Sequence, residues 1–230
     1  MTGPIDLGGR TFPIILAAPS GAGKTTIARA LRDRRGDVVF SISATTRAPR
    51  PGEVDGRDYW FLSDEVFDRW VAEDRMLEWA EVHGHRYGTP RRNLDDAVAR
   101  GDYLLLDIDV QGSKSVRRTV PEAVSVFVLP PSGAVLAERL AGRGSEDEAV
   151  RKRRLGNADR EIEMAAEFDY VIVNDRLDES VERLEAILIA ESLRTARLSE
   201  LAAGTDRLRA QIHEAAEGGG GSRTHEETQR

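Results

Sequence analysis

The chain has 230 residues, of which 40% are apolar and 32% are charged, a balance that suits one large domain with a sizeable core. Its formal net charge of −7 argues against a protein that coats nucleic acid, because any phosphate-binding arginines must then be concentrated locally. The absence of cysteine excludes disulfides and cysteine-ligated metal sites.

The amino-terminal segment MTGPIDLGGR carries no apolar core of signal-peptide length. No stretch of the sequence approaches the ~20 apolar residues that a membrane-spanning helix needs. We therefore expect a cytoplasmic protein whose partners are small molecules rather than membranes or nucleic acid. Its pattern of residues indicates no oligomeric state.

Short apolar runs alternate with segments of helical spacing along most of the chain. The predicted strands are 12–18, 38–42, 103–108, 124–129 and 170–173. The predicted helices are 25–35, 111–119, 132–140, 147–167 and 177–197. This alternation is typical of an α/β fold with a parallel sheet covered on both faces.

Two regions depart from this alternation. Residues 43–92 are rich in proline, glycine and aromatic residues, which predicts a mostly antiparallel insertion with one helix near 64–73. Residues 198–217 have apolar side chains at helical spacing, which predicts an additional helix that packs on the body or binds a partner. Residues 218–230 begin with GGGGS and are predicted to be a flexible tail.

Residues 18–26 read APSGAGKTT and follow the first apolar run. A strand, a glycine-rich turn, Gly-Lys-Thr and a helix in this order are typical of loops that hold nucleoside triphosphates. Gly21 and Gly23 allow a tight turn that points amide N–H groups at one anion. Lys24 supplies charge for the terminal phosphates and Thr25 a hydroxyl for Mg²⁺. The alternative is a chance glycine-rich turn, since Ala18 replaces the first glycine of the strict pattern.

A second polar segment, residues 41–59, combines arginines with hydroxyl groups. Arg47 and Arg50 lie three residues apart, and arginine forks bind phosphate oxygens in bidentate fashion. The hydroxyls of Tyr59 and Tyr87 can add neutral hydrogen bonds to the same anion. The alternative is a solvated basic loop.

Three carboxylates lie within or at the end of apolar runs. Glu78 can accept from the two neighbouring N–H donors on the Watson–Crick edge of guanine, or else is an exposed strand carboxylate. Asp107 and Asp109 end a buried strand at the edge where open α/β folds bind ligands. We expect Asp107 to reach Mg²⁺ and Asp109 to help read the acceptor base, with helix capping as the alternative for both.

The last basic cluster occupies residues 139–154, where glycines adjoin a charged helix. Such a segment suits a mobile lid that brings arginines onto transferring phosphates. We expect Arg143 and Arg154 to have this role, and Arg151 and Arg153 to be solvated. Asn174-Asp175 ends a strand, where it touches an adenine or forms a turn.

Together these motifs resemble the guanylate kinase family over residues 12–197. The motifs are APSGAGKTT, SATTRAPRPGEVDGRDYWF, LEWAEVHGHRYGT, LLLDIDVQG, LPPS, GRGSEDEAVRKRRL and YVIVND. The resemblance implies a P-loop nucleoside monophosphate kinase whose parallel-sheet core comprises 12–42, 93–142 and 168–197. It also implies a GMP-binding mixed α/β insertion at 43–92, a mobile lid at 143–167 and an N-terminal tail at 1–11.

The family transfers the γ-phosphoryl group of ATP to GMP with Mg²⁺, which implies these site residues here. ATP-binding residues are Ser20, Gly21, Ala22, Gly23, Lys24, Thr25, Thr26, Asn174 and Asp175. GMP-binding residues are Ser43, Arg47, Arg50, Tyr59, Glu78, Tyr87, Thr89 and Asp109. Catalytic residues are Lys24, Arg50, Arg143 and Arg154, and metal-binding residues are Thr25 and Asp107.

Two other functions are compatible with such a sequence. One is a non-catalytic guanylate-kinase-like interaction module, although such modules usually lack a complete phosphate loop. The other is a related kinase that acts on a different phosphorylated acceptor. The chain departs from the family at Arg86, where an aromatic residue is common, and at Thr89, which is often serine.

Overall fold

The computed structural model describes residues 5–82, 84–141 and 148–218. The chain divides into two compact units, one comprising Thr11–Ile189 and the other the residues up to Arg10 with those from Ala190 onward. The end of the larger unit thus precedes the boundary at residue 197 that the family resemblance predicts. None of the described helices is long and apolar enough to cross a membrane.

The described strands form two sheets, both in the larger unit. They are β1 (Ile14–Ala17), β2 (Val38–Phe40), β3 (Ala44–Thr45), β4 (Trp60–Phe61), β5 (Met76–Val82), β6 (His85–Pro90), β7 (Tyr103–Asp107), β8 (Val124–Leu129) and β9 (Tyr170–Val173). The helices are α1 (Lys24–Arg34), α2 (Asp64–Ala72), α3 (Arg91–Arg100), α4 (Val110–Thr119), α5 (Gly133–Ala141), α6 (Glu148–Glu163), α7 (Leu177–Ser192) and α8 (Leu201–Gly218).

The larger sheet is parallel and five-stranded, in the order β2-β7-β1-β8-β9. Helices cover both faces of this sheet. Successive side chains of β1 point to opposite faces, so they pack in two different cores. Ile14 and Leu16 pack in the core that includes α1 and α7, whereas Ile15 packs with residues of α3 and α4. The predicted α/β architecture is therefore confirmed, and the phosphate loop follows its central strand.

The insertion carries the smaller sheet, in the order β4-β3-β6-β5. Its β5–β6 hairpin and its β3–β6 pair are antiparallel, while β3 and β4 run parallel. Helix α2 begins after Ser63, whose hydroxyl accepts from the Val66 N–H at 3.3 Å. Phe67 and Trp70 of α2 pack against Ala44 and Met76, so that the insertion has its own small apolar core.

Three helices differ from the prediction. The pattern missed α3, although Gly101 ends it with a φ of 74°, which is a common helix stop. The predicted helix 147–167 ends as an α-helix at Glu163 and continues as a 3₁₀ turn, Met164–Glu167. The predicted helix 177–197 ends at Ser192, because Arg194 is extended. No glycine or proline marks that break.

The smaller unit contains α8, which confirms the helix predicted at 198–217. The helix runs through Thr205, whose hydroxyl donates to the Ala202 carbonyl at 2.8 Å. The N-terminal segment pairs with this unit, because the Glu200 N–H donates to the Leu7 carbonyl and the Arg10 N–H to the Arg197 carbonyl. The tail predicted to be flexible lies outside the described residues from 219 onward.

Candidate active site

The phosphate loop connects β1 to α1 with the geometry of an anion cradle. Gly21 and Gly23 have φ values of +89° and +94°, which L side chains rarely adopt. A Cβ at Gly23 would lie 2.3 Å from the Asn174 amide nitrogen, so only glycine fits there. Helix α1 begins at Lys24, directly after this turn, and directs its amide N–H groups at the loop.

Lys24, Thr25 and Asp107 lie in mutual contact beside this loop. The Lys24 ammonium lies 2.6 Å from Asp107 Oδ1 and donates to the Ile108 carbonyl at 2.7 Å. The Thr25 hydroxyl donates to Asp107 Oδ2 at 2.9 Å. Asp107 ends β7, which is hydrogen-bonded to β1, so the parallel register brings these groups together.

The same residues suit a magnesium ion. A threonine hydroxyl and a carboxylate are the hard oxygen ligands that Mg²⁺ prefers, and this ion keeps several waters and phosphate oxygens as its other ligands. Residues 5–82, 84–141 and 148–218 contain no group of three or more His, Cys, Asp or Glu arranged to hold a metal. The Thr25 hydroxyl and the Asp107 carboxylate would supply two oxygen ligands to such an ion. Their role as ligands stays a prediction.

Asn174 contacts the phosphate loop through its side-chain amide. Its buried side chain donates to the Ala22 carbonyl at 2.7 Å and accepts from the Ser180 hydroxyl at 3.1 Å. This side chain therefore anchors the phosphate loop, and its predicted contact with an adenine stays a prediction. Asp175 remains exposed beside the loop.

A cavity of about 430 Å³ lies on this side of the loop. Its lining residues are Gly21, Gly23, Thr26, Arg139, Asn174, Asp175 and Leu177. Arg139 also approaches the Ala22 carbonyl at 3.4 Å. The sequence analysis did not single out Arg139, because the ordinary helical pattern of α5 does not mark which charged side chain faces the loop.

Replacing Asn174 by alanine is expected to lower the free energy of unfolding by about 1–3 kcal/mol, because buried hydrogen-bonding groups lose their partner. The freed loop should also raise KM for ATP more than KM for GMP. Urea denaturation and steady-state kinetics measure the two effects. Asn157→Ala, at an exposed position of α6, serves as the control, and an unchanged unfolding midpoint in Asn174→Ala would contradict the anchor role.

A second cavity, of about 210 Å³, gathers most of the predicted GMP-binding residues. It is lined by Ser43, Tyr59, Glu78, Ala80, Tyr87, Gly88, Asp107, Ile108, Asp109 and Gly112. These residues fall in two separate parts of the sequence, 43–88 in the insertion and 107–112 after β7 of the parallel sheet. The cavity therefore lies between the carboxyl end of β7 and the insertion.

Glu78 is half-buried in this cavity rather than exposed. Its Oε1 accepts from the buried Thr89 hydroxyl at 2.7 Å, because the two residues are register partners across the β5–β6 hairpin. Burial raises the pKa of Glu78, and the nearby Asp109 raises it further, while the hydrogen bonds from Thr89 lower it. Glu78 also lines the cavity, where its carboxylate oxygens can accept hydrogen bonds from the N–H groups of a ligand.

Asp109 is a helix cap that also lines this cavity, and its part in reading a base stays a prediction. It caps α4 by accepting from the Gly112 N–H at 2.7 Å, and it lines the same cavity. A Cβ at Gly112 would lie 3.3 Å from Glu78 Oε2 and 3.5 Å from Asp109 Oδ1. Gly112 thus leaves room between the two carboxylates, a requirement that the sequence analysis did not detect.

Glu53 accepts hydrogen bonds from both predicted phosphate-binding arginines, Arg47 and Arg50. The Arg47 guanidinium pairs with both Glu53 oxygens, at 2.9 and 3.0 Å, and donates to the Tyr87 hydroxyl at 3.2 Å. This pairing lowers the pKa of Glu53 and raises that of Arg47. The Arg50 backbone N–H also donates to Glu53, while its side chain is exposed. Sequence analysis missed Glu53, because a carboxylate within an anion site resembles ordinary loop charge.

Arg86 does not line this second cavity, which we call the acceptor cavity. Its guanidinium pairs with Asp64 at 2.6 Å and with Asp68, and it lies over the Phe67 ring at 4.8 Å from the centroid. All three partners belong to α2. The departure from the family's aromatic residue therefore fastens α2 to β6 and leaves the neighbouring Tyr87 hydroxyl facing Arg47.

Helix α6 approaches the phosphate loop at Ser20. Half-buried Arg154 donates to the Ser20 hydroxyl at 3.2 Å, and Glu161 accepts from the Ser20 N–H. Burial raises the pKa of Glu161, and Asp109 raises it further. Arg153 is exposed, as expected for a solvated residue. Arg143 and the side chain of Arg151 lie outside the described residues.

Comparison with known proteins agrees with this geometry. The sequence model of the guanylate kinase family matches residues 10–191. The chain belongs to the guanylate kinase family. That match covers both sheets and every residue that lines the two cavities.

Relatives within the family share much of this sequence. The chain is 48% identical over 175 residues to a guanylate kinase of Synechocystis sp., covering 76% of this chain and 92% of the relative. It is 45% identical over 181 residues to one of Mycobacterium sp. (strain MCS), covering 78% and 91%. A crystal structure of the guanylate kinase from Anaplasma phagocytophilum is 36% identical, with a TM-score of 0.69, and the match covers 86% of this chain and 95% of that one.

Proposed function

We propose that this protein transfers the γ-phosphoryl group of ATP to GMP, and also to dGMP, giving ADP and GDP or dGDP, with Mg²⁺ bound together with ATP. Membership of the guanylate kinase family supports the reaction class. A place in the cytoplasm and in purine nucleotide metabolism belongs to the same proposal, as do the individual residue roles below.

One observation carries the assignment. Asp107 contacts Lys24 and Thr25 of the triphosphate loop and also lines the cavity that holds Glu78. The phosphate cradle and the base-reading cavity are thus adjacent and share one residue. Two nucleotides bound in them would point their phosphates at each other, as an in-line transfer requires.

On the donor side, the loop amides and the Lys24 ammonium hold the β- and γ-phosphates and balance their charge. Thr25 and Asp107 would hold Mg²⁺. When bound, this ion neutralises charge on the phosphates and orients them. Asn174 keeps the loop in its cradle conformation through the Ala22 carbonyl.

On the acceptor side, the phosphate of GMP is already an anionic nucleophile, so no strong general base is needed. Arg47, Arg50 and the Tyr59 and Tyr87 hydroxyls position that phosphate. Glu78 accepts from the two N–H donors of guanine, while Ser43, Thr89 and Asp109 complete the contacts to the base. Adenine presents one N–H donor beside the N1 acceptor, so one carboxylate oxygen would face an acceptor, which disfavours AMP.

Arginines from the region after α5 stabilise the charge on the transferring group. Arg154 is within reach of the loop through Ser20. Arg143 is assigned the same role by its position in the family motif. Closure of the segment that carries them would exclude water and so prevent hydrolysis of ATP.

A substrate screen tests the proposal. The full-length chain is incubated with ATP, Mg²⁺ and equal concentrations of GMP, dGMP, AMP or ribose phosphates, and ADP release is followed with a coupled assay. We expect turnover with GMP and dGMP only. Turnover with a sugar phosphate but not GMP would identify the related kinase, and absence of turnover with tight GMP binding would identify a binding module.

Substituting Arg154 by alanine is expected to lower kcat by ~10²-fold, as removal of one charge-stabilising donor does in other enzymes. Arg153→Ala is the matched control, since Arg153 is the exposed neighbour and should retain near-normal kcat. Steady-state kinetics with saturating ATP and GMP give both values. Equal kcat values for the two variants would remove Arg154 from the catalytic residues.

A further inference from the structure

The chain enters the insertion through a very short connection. The Ser41 N–H donates to the Leu105 carbonyl of β7 at 2.8 Å, which ties Ser41 to the parallel sheet. The Ser43 carbonyl accepts from the Trp60 N–H of β4 at 2.8 Å, which ties Ser43 to the insertion sheet. Ile42 is therefore the single residue between the last hydrogen bond of the core and the first of the insertion.

Asn93 holds this connection with its side-chain amide. Its Nδ2 donates to the Ser41 hydroxyl oxygen at 2.9 Å and to the Ile42 carbonyl at 2.8 Å. Both amide protons are thus used on the entering strand. Asn93 itself lies in the first turn of α3, directly after β6 leaves the insertion. One side chain consequently links the two places where the chain crosses between the sheets.

Helix α3 contacts both the insertion and the core. In its first turn, Arg91 pairs with Asp74 of the insertion at 3.1 Å, and Arg92 lies over the Trp60 ring. Ala97 is fully buried with Leu104 and Leu106 of β7 and Val116 of α4. A rigid helix therefore carries the amide that restrains Ile42. Because Ile42 has two soft backbone dihedrals, the hydrogen bond from Asn93 to its carbonyl is one restraint on rotation of the insertion about this residue.

We propose that Asn93 is a positioning residue that sets the orientation of the insertion and thereby the affinity for the acceptor nucleotide; this rests on the proposed function. Ser43 follows Ile42 directly and lines the acceptor cavity opposite Asp109 of the core. Asn93 does not line that cavity. It acts by restricting the insertion to orientations in which both halves of the cavity meet, and loss of that restriction lowers the binding-competent fraction.

The test uses Asn93→Ala and Asn93→Asp in the full-length chain. The aspartate has nearly the same volume but replaces the Nδ2 donor by an oxygen that cannot donate to the Ile42 carbonyl. Asp96→Ala, an exposed change on the same helix, is the matched control. Calorimetry gives Kd for GMP, and kinetics give KM for each substrate.

Both Asn93 variants should raise Kd and KM for GMP by about 3- to 30-fold, the effect of losing one or two hydrogen bonds. KM for ATP should change less than about twofold, because the phosphate loop is untouched. Equal losses for both substrates with a lowered Tm would show a merely structural role and overturn the proposal. Unchanged or tighter GMP binding would overturn it as well.

Hydrogen exchange separates this inference from the proposed function. We call Ile42 the hinge, and the Trp60 N–H donates to the carbonyl of Ser43, the next residue. Without any nucleotide present, exchange of the Trp60 N–H should be faster in Asn93→Asp than in Asp96→Ala. A wild-type protein that fails to phosphorylate GMP would refute the proposed function, and the exchange rates would still decide whether Asn93 restrains the hinge. Identical exchange in all variants would refute the restraint.

Discussion

Lys24→Ala is expected to lower kcat by at least ~10²-fold, because the ammonium balances charge that develops on the transferring phosphates. The structure supports the effect by the position of this group. It lies at the start of α1 with its side chain only 18% exposed and directed at the Asp107 carboxylate. In the presence of ATP it can exchange part of this contact for phosphate oxygens. Coupled ADP-release kinetics at saturating substrates measure the loss.

Lys114→Ala provides the control for this prediction. Lys114 pairs with Glu167 at 2.9 Å on the outer side of α4 and is assigned no part in either nucleotide site. That variant should retain normal kcat, and circular dichroism should show both variants folded. A Lys24→Ala enzyme with kcat within tenfold of the wild type would remove Lys24 from the proposed mechanism.

Glu78→Gln is expected to lower kcat/KM for GMP by ~10²-fold. The variant loses one hydrogen bond to a charged group, and its amide N–H faces an N–H donor of guanine. Guanine presents two adjacent N–H donors, whereas glutamine offers one acceptor and one donor, a pattern that matches adenine instead. The preference for GMP over AMP should therefore fall. Parallel assays with both acceptors measure the change in preference. Glu81→Gln, an exposed change on the same strand, should leave it intact.

The pH dependence of GMP binding gives a second measure of Glu78. Burial raises its pKa above the ordinary 4.5, and guanine recognition requires the ionised form. Affinity for GMP should thus fall as the pH decreases through this raised pKa, at a higher pH than an exposed glutamate would cause. The same shift means that protonation of Glu78 contributes to the free energy of unfolding below pH 4.5. This contribution is lost as the pH rises through the raised pKa.

Calorimetry of wild type and Glu78→Gln across this pH range separates Glu78 from the phosphate of GMP, which titrates in both. The step that belongs to Glu78 should be missing from the variant. If the two proteins showed the same pH profile, Glu78 would not be the guanine reader.

Most of the parallel sheet was predictable, because its strands are unbroken apolar runs and its loop has one physical use. The pattern located β8 at 124–129 and β9 at 170–173 with the bounds that the structure has. It placed the end of α7 wrongly, since Glu191 pairs with Arg194 and Arg197 where the helix stops. Ion pairs of that kind leave no periodic signal in a sequence.

The site shows the same division. Loop chemistry is local, so Gly23, Lys24 and Thr25 could be assigned from nine consecutive letters of sequence. The acceptor cavity depends on register between distant strands, and the pairing of Glu78 with Thr89 and the proximity of Gly112 follow from the fold alone. Asn174 illustrates the difference, because its position beside the loop was predictable whereas its partner was not.

The residue types and their spacing were enough to establish an α/β core with a triphosphate loop and a family with an acceptor insertion. Only the three-dimensional arrangement decided which polar groups are already engaged with each other, as Arg47 is with Glu53 and Ile42 with Asn93. The reason is physical: hydrophobic periodicity is written along the chain, whereas a hydrogen bond between residues far apart in sequence depends on distances that only packing sets.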